Sequence, residues 1–189
     1  MEMLKQKAVA AYKNASDDCK VMLKSLFGED LFKQTNNIEL IRTFSDAARA
    51  VGIVDVEDWE ENYANLEPDI LAYFKLRIIC KALNGGWTPT FMAEEKRYYP
   101  WFWLYTQEEI NNMEDEEKQK RNLQLCKIGD YAGFAYAFSR SVPSYTIADF
   151  GSRLCLKSDE LATYCGKQFI EDWVVLITGV DYSDINAGE

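Results

Sequence analysis

Residues 97–105 read Arg-Tyr-Tyr-Pro-Trp-Phe-Trp-Leu-Tyr, with six aromatic side chains in nine positions. Bulky flat side chains favour extended backbone, so the segment predicts a strand. Pro100 has no N–H to give to a ladder, which places that strand at a sheet edge or puts a bulge in it. Side chains alternate along a strand, so Tyr99, Trp101 and Trp103 are expected on one face and Tyr98, Phe102 and Tyr105 mostly on the other. One face then packs on the core, and the other either fills the core as well or is a stacking platform for a sugar ring, a base or a partner side chain.

Upstream, the chain reads as helices. Pro68 suits a first helical turn, Asp69 lies where the helix dipole favours an anion, and Ile70, Leu71, Phe74, Ile78, Ile79, Ala82 and Leu83 supply an apolar face up to Asn84-Gly85-Gly86. Earlier, Leu4 to Phe27 recur at three- and four-residue steps before Gly28, and residues 38–51 predict one or two short helices, with Ser45 as a cap and Gly52 as a stop.

Downstream, Thr106-Gln107-Glu108-Glu109 fits a capping box, followed by an acidic, polar excursion and a strand over Leu123–Ile128. Residues 131–138 alternate bulky Tyr131, Phe134, Tyr136 and Phe138 with small residues, and 144–157 hold a β-branched, apolar stretch; both read as strands of a small antiparallel sheet. Ser158 caps a final helix whose stripe runs from Leu161 to Leu176 before Gly179, and the segment after it is expected to fray. Helices come first and do not alternate with strands, so the fold class is α+β: N-terminal helices packed with a small antiparallel sheet, and a C-terminal helix after the last strand. The expected organisation is one globular domain over 1–189, helical over about 1–86, sheet and final helix over about 87–178, and a tail over 179–189.

Composition narrows the function. The 189 residues include no histidine, which removes the usual general base near neutral pH and every Ser-His or Cys-His pair. Their formal net charge is −10. Residues 1–54 are almost neutral, whereas 55–69 hold seven carboxylates and no cation. No basic stripe exists to release counterions from phosphates, so direct nucleic-acid binding is not expected. The five cysteines, Cys19, Cys80, Cys126, Cys155 and Cys165, are odd in number and lack C-x-x-C spacing, which signals neither a disulfide framework nor a zinc knuckle. On a strand, Arg153, Cys155 and Lys157 would share a face, the one arrangement here that offers a thiol an electropositive niche. No P-loop, G-x-G-x-x-G or G-x-S-x-G occurs, and the carboxylate pairs lie in polar, solvated stretches. Catalytic residues, metal ligands and cofactors are therefore not expected. With no signal-peptide pattern and no run of about 18 apolar residues, the chain reads as soluble, cytoplasmic and away from membranes.

Three further pieces carry a resemblance: Tyr98-Tyr99-Pro100-Trp101-Phe102, then Gly151 to Ser158 (GSRLCLKS), then Glu160-Leu161-Ala162 through Tyr164 to Gly166-Lys167-Gln168-Phe169. With Ile41-Arg42-Thr43-Phe44 and Ala82-Leu83-Asn84, they make residues 26–173 similar to an uncharacterised protein family of gut bacteria and their phages or prophages. The resemblance implies a phage-linked soluble protein and brings no catalytic residues with it. The expected function is a non-enzymatic accessory protein that binds another protein through Tyr99, Trp101, Trp103 and Arg153. Two alternatives stand beside it: an acidic inhibitor or DNA mimic directed at a host nucleic-acid enzyme, and a carbohydrate-binding module using exposed aromatics.

Overall fold

A computed structural model describes residues 8, 11–12, 15–28, 37–90, 92, 94–143 and 152–187, which fall into two compact units, Met1–Leu40 and Ile41–Glu189. In the first, α1 (Asp17–Phe27) ends where Gly28 takes φ +85° and its N–H reaches the Lys24 carbonyl. A single short turn, α2 (Asn37–Leu40), follows.

The second unit begins with α3 (Phe44–Ala50). Its cap is Thr43 and not Ser45. Asp46 N–H donates to Thr43 Oγ1 at 3.1 Å and Thr43 N–H donates to Asp46 Oδ2 at 2.9 Å, a reciprocal box in which aspartate does the work usually given to glutamate or glutamine. Next come α4 (Val56–Tyr63), capped by Asp55, and α5 (Pro68–Leu83), with Pro68 in its first turn as expected. The buried stripe of α5 is Ala72, Leu76, Ile79, Cys80 and Leu83, at helical steps of four, three, one and three. Ile70, expected on that face, is exposed.

Strand β1 (Lys96–Tyr105) leads into α6 (Gln107–Asn112), where Thr106 and Glu109 form the anticipated capping box. The polar excursion then folds as a further helix, α7 (Asp115–Arg121), with carboxylates in its first turn, basic residues in its last, and Asn122 in the left-handed region to end it. Strands β2 (Gln124–Ile128) and β3 (Tyr131–Pro143) complete an antiparallel sheet in the order β1-β3-β2.

Pro100 thus sits on an edge strand, and a bulge lies beside it. Trp101 pairs with Phe138 but Phe102 pairs with Tyr136, leaving Ala137 as the extra residue on β3. On the outer edge of β1, Tyr98 and Leu156 exchange two backbone hydrogen bonds of 3.0 and 2.9 Å. Backbone groups of successive residues point to opposite edges and those two apart to the same one, so the missing N–H of Pro100 falls with Tyr98 on that outer side, where no ladder needs it.

The expected strand over 144–157 is corrected over its described part. Ser152–Leu154 form one 3-10 turn, and only Leu156 pairs with the sheet; 144–151 lie outside the described residues. Asn84 holds this run in place, donating from Nδ2 to the Cys155 carbonyl at 2.8 Å and accepting the Lys157 N–H at 3.0 Å. The final helix is two helices, α8 (Asp159–Gln168) and α9 (Ile170–Thr178), broken at Phe169 (φ −115°, ψ 36°). The break lets α8 pack on β1 and β3 while α9 packs mainly on α5.

The described part of the segment after α9, 179–187, is not frayed. Tyr182 donates its hydroxyl to Asp172 at 2.6 Å, and Asn186 meets Leu125 on the free edge of β2 through two hydrogen bonds of 2.7 Å. The architecture is α+β. Among the described residues no helix is long and apolar enough to cross a membrane.

Candidate functional site

The bulge and the pleat together sort the aromatic side chains. Pro100 and Phe102 face the helices. An added methyl on Gly166 of α8 would lie 2.5 Å from Pro100 Cβ, and the Phe102 ring sits 4.7 Å from Phe134 and 5.7 Å from Trp173 of α9. Trp101 and Trp103, one residue on in each case, therefore face away from α8 and α9.

On that outer face Trp101 lies parallel to Phe138, with ring centroids 5.9 Å apart at 4°, and Trp103 leans against Phe138 at 6.4 Å. The Arg140 guanidinium lies over the Trp101 ring at 5.3 Å, a cation–π contact. Trp103 is 53% exposed and Phe138 43%. The result is an open aromatic patch with one cation stacked on it. Apolar area at this density, left uncovered beside a charge, is the composition found at the centre of contact surfaces.

The four sequence-predicted residues do not meet. Trp101 and Trp103 form the patch, whereas Tyr99 is 4% exposed. Tyr99 lies beside Cys155 and Arg97; burial pushes its hydroxyl up to about 12, further than the Arg97 charge draws it down. Arg153 is exposed on the 3-10 turn and takes no hydrogen bond or ion pair among the described residues. In their stead the register supplies Phe138 and Arg140. Arg140 enters through its stacking on Trp101, and Phe138 becomes a site residue only through its pairing with Trp101 across the strands.

The niche expected around Cys155 is absent. Arg153 and Lys157 are exposed while Cys155 is buried, and burial pushes its thiol up to about 11 despite the nearby Arg97. A thiol held so high is protonated near neutral pH and is a poor nucleophile. Cys80 and Cys165 are buried close by, and the Cys80 thiol is raised by its hydrogen bond with Cys165 and by burial. Among the described residues no group of three potential metal-ligating side chains converges.

The acidic segments divide. Glu57, Glu60 and Glu61 are exposed on α4, with Glu60 3.7 Å from Lys75. On α7 the carboxylates are partly matched, Asp115 by Lys118 at 3.2 Å and Glu117 by Arg121 at 2.9 Å.

No family model matches the chain, and neither a curated protein nor a solved structure matches it. Fold and site together define an α+β protein with half-exposed aromatic side chains on edge strand β1 and central strand β3.

Proposed function

We propose that this chain is a non-enzymatic protein that acts by binding another protein through Trp101, Trp103, Phe138 and Arg140, in the phage or prophage setting its sequence resemblance implies. The observation that carries this reading is the open aromatic patch: half-exposed Trp103 and Phe138 beside a stacked Trp101–Arg140 pair. Tryptophan and arginine are the residue types that dominate binding energy at interfaces. The test compares wild type with Trp103→Ala in affinity capture from a phage-infected host lysate at low and high salt. Wild type is expected to retain a protein that the variant loses, with a purified partner weakened by about 2 kcal/mol or more, roughly 30-fold. Capture of the same proteins by both forms would sink the reading.

Carbohydrate binding is the second reading, favoured by the exposed Trp103 indole, which is free to stack on a sugar ring. A glycan array separates the two, because a lectin-like site would bind sugars with no protein present and lose them with the same substitution.

A further inference from the structure

The sheet has a second feature beside its aromatic face. On the outer edge of β1, Tyr98 exchanges two backbone hydrogen bonds with Leu156. Residues two apart point their backbone groups to the same edge, so Phe102 and Leu104 also turn an N–H and a carbonyl outward. The bulge leaves this order intact on β1, because its extra residue is Ala137 on β3. Among the described residues nothing pairs with Phe102 or Leu104 on that side. The pairing begun by Leu156 does not run on to them. In its register Leu154 would come opposite Pro100, but Leu154 lies in the 3-10 turn and Pro100 has no N–H to give.

This edge sets the chemistry of an occupant. An antiparallel strand laid along it would exchange two hydrogen bonds with Phe102 and two with Leu104, and its residue between would lie opposite Trp103. That middle pair is the non-hydrogen-bonded kind, in which side chains come closest. Trp103 has Phe138 on its inner flank at 6.4 Å and is 53% exposed, so its outer flank receives the middle side chain. The same face already holds a model for that contact, since the Arg140 guanidinium lies over Trp101 at 5.3 Å. Leu104, 37% exposed on the opposite face, is covered by an apolar residue of the added strand. A small molecule matches one or two of the outward backbone groups, whereas an extended chain matches all of them. A second copy is opposed by the ten surplus negative charges each chain carries, and the same charge draws in a basic segment.

We infer that the outer edge of β1 at Phe102 and Leu104 binds an extended segment of a partner protein by antiparallel strand addition, with a cation stacked on Trp103 between two apolar residues. The inference rests on the reading of the Trp103 face as a protein-binding surface and adds the conformation and side-chain pattern of what binds there. The test is a titration of ¹⁵N-labelled protein with acetyl-Ser-Val-Arg-Val-Ser-amide, followed through the Phe102 and Leu104 amide resonances. Both are expected to shift downfield saturably. Methylating the two valine nitrogens removes the donors to the β1 carbonyls and should weaken binding about tenfold, the net worth of two hydrogen bonds. Glutamate in place of the arginine should weaken it by a similar factor. Leu104→Pro deletes one outward N–H at an edge position of the kind that already accommodates Pro100, and should lower affinity several-fold with the rest of the spectrum unchanged. Should that variant fail to fold, the methylated peptide asks the same question of wild type. Absence of saturable binding overturns the proposal, as does equal affinity for either altered peptide or an unchanged affinity in folded Leu104→Pro. Concentration-dependent shifts of the two resonances with no peptide present also overturn it, because they mark a second copy as the occupant. Capture with Trp103→Ala decides the underlying reading separately, since that substitution leaves both outward N–H groups of β1 in place.

Discussion

At the scale of single residues, the molecule depends on side chains that are missing as much as on those present. Gly166 is the clearest case. An alanine methyl there would meet Pro100 Cβ at 2.5 Å and the Tyr136 ring at 2.8 Å, both parts of the sheet against which α8 packs. The neighbours belong to a strand and a buried ring and cannot easily give way, so the helix must back off. Gly166→Ala is expected to destabilise the fold by about 1–3 kcal/mol, the usual range for overpacking, read as a lower urea midpoint with unchanged slope. This contact also explains two pieces of the quoted sequence pattern in physical terms. Pro100 of YYPWF and Gly166 of GKQF meet face to face, while Gln168 donates to the Arg42 carbonyl at 2.9 Å and Tyr164 to the Ile41 carbonyl at 2.8 Å. Those residues tie α8 to the sheet and to the start of the unit.

Among the elements, α9 carries the most consequential charge. Asp172 is buried on it, accepts the Tyr182 hydroxyl, and has Lys75 and Glu171 as its charged neighbours. Burial raises its carboxyl above the ordinary carboxylate range, further than the Tyr182 hydrogen bond and the Lys75 charge lower it. A carboxyl raised in the folded state adds stability that is full below its unfolded pKa and is lost as pH rises through the folded value. At neutral pH the buried charge is therefore a cost. Asp172→Asn keeps an acceptor for Tyr182 and removes the charge. Urea melts at pH 7.5 should show the variant more stable than wild type, with the gap closing as pH falls toward 4; a gap that stays constant with pH would contradict the assignment.

Elements also show what could be read from sequence and what could not. The strand at 96–105, its edge position and the Thr106–Glu109 box follow from local chemistry: aromatic density, a proline without a donor, and a cap with its reciprocal acid. The break at Phe169 does not, because Leu161 to Leu176 keep helical spacing across it and only the separate packing of α8 on the sheet and α9 on α5 reveals two axes. The 3-10 turn at Ser152–Leu154 was hidden for a similar reason. Its apolar composition suits a strand, yet its partners are Cys80, which donates its thiol to the Leu154 carbonyl, and the rest of α5, dozens of residues away. The candidate site was half legible: alternation places Trp101 and Trp103 together, while the burial of Tyr99 and the arrival of Phe138 depend on tertiary covering and on a bulge at Ala137.

For the 41–189 unit as a whole, the decisive property is how the sheet, three-stranded among the described residues, ends. One border is met by Leu156 at Tyr98 and carries Pro100 beyond it; the other is met by Asn186 at Leu125, whose side chain and backbone stand in for a fourth strand. Open strand borders template intermolecular pairing. The consequence is colloidal: Asn186 occupies backbone groups of β2 that a second molecule could otherwise pair with. Asn186→Ala removes the acceptor for the Leu125 N–H and the donor to Gln124. In a quiescent thioflavin assay near neutral pH, it is expected to shorten the lag before aggregation several-fold despite ten surplus negative charges on every copy. An unchanged lag would mean that mutual repulsion alone keeps the molecules apart.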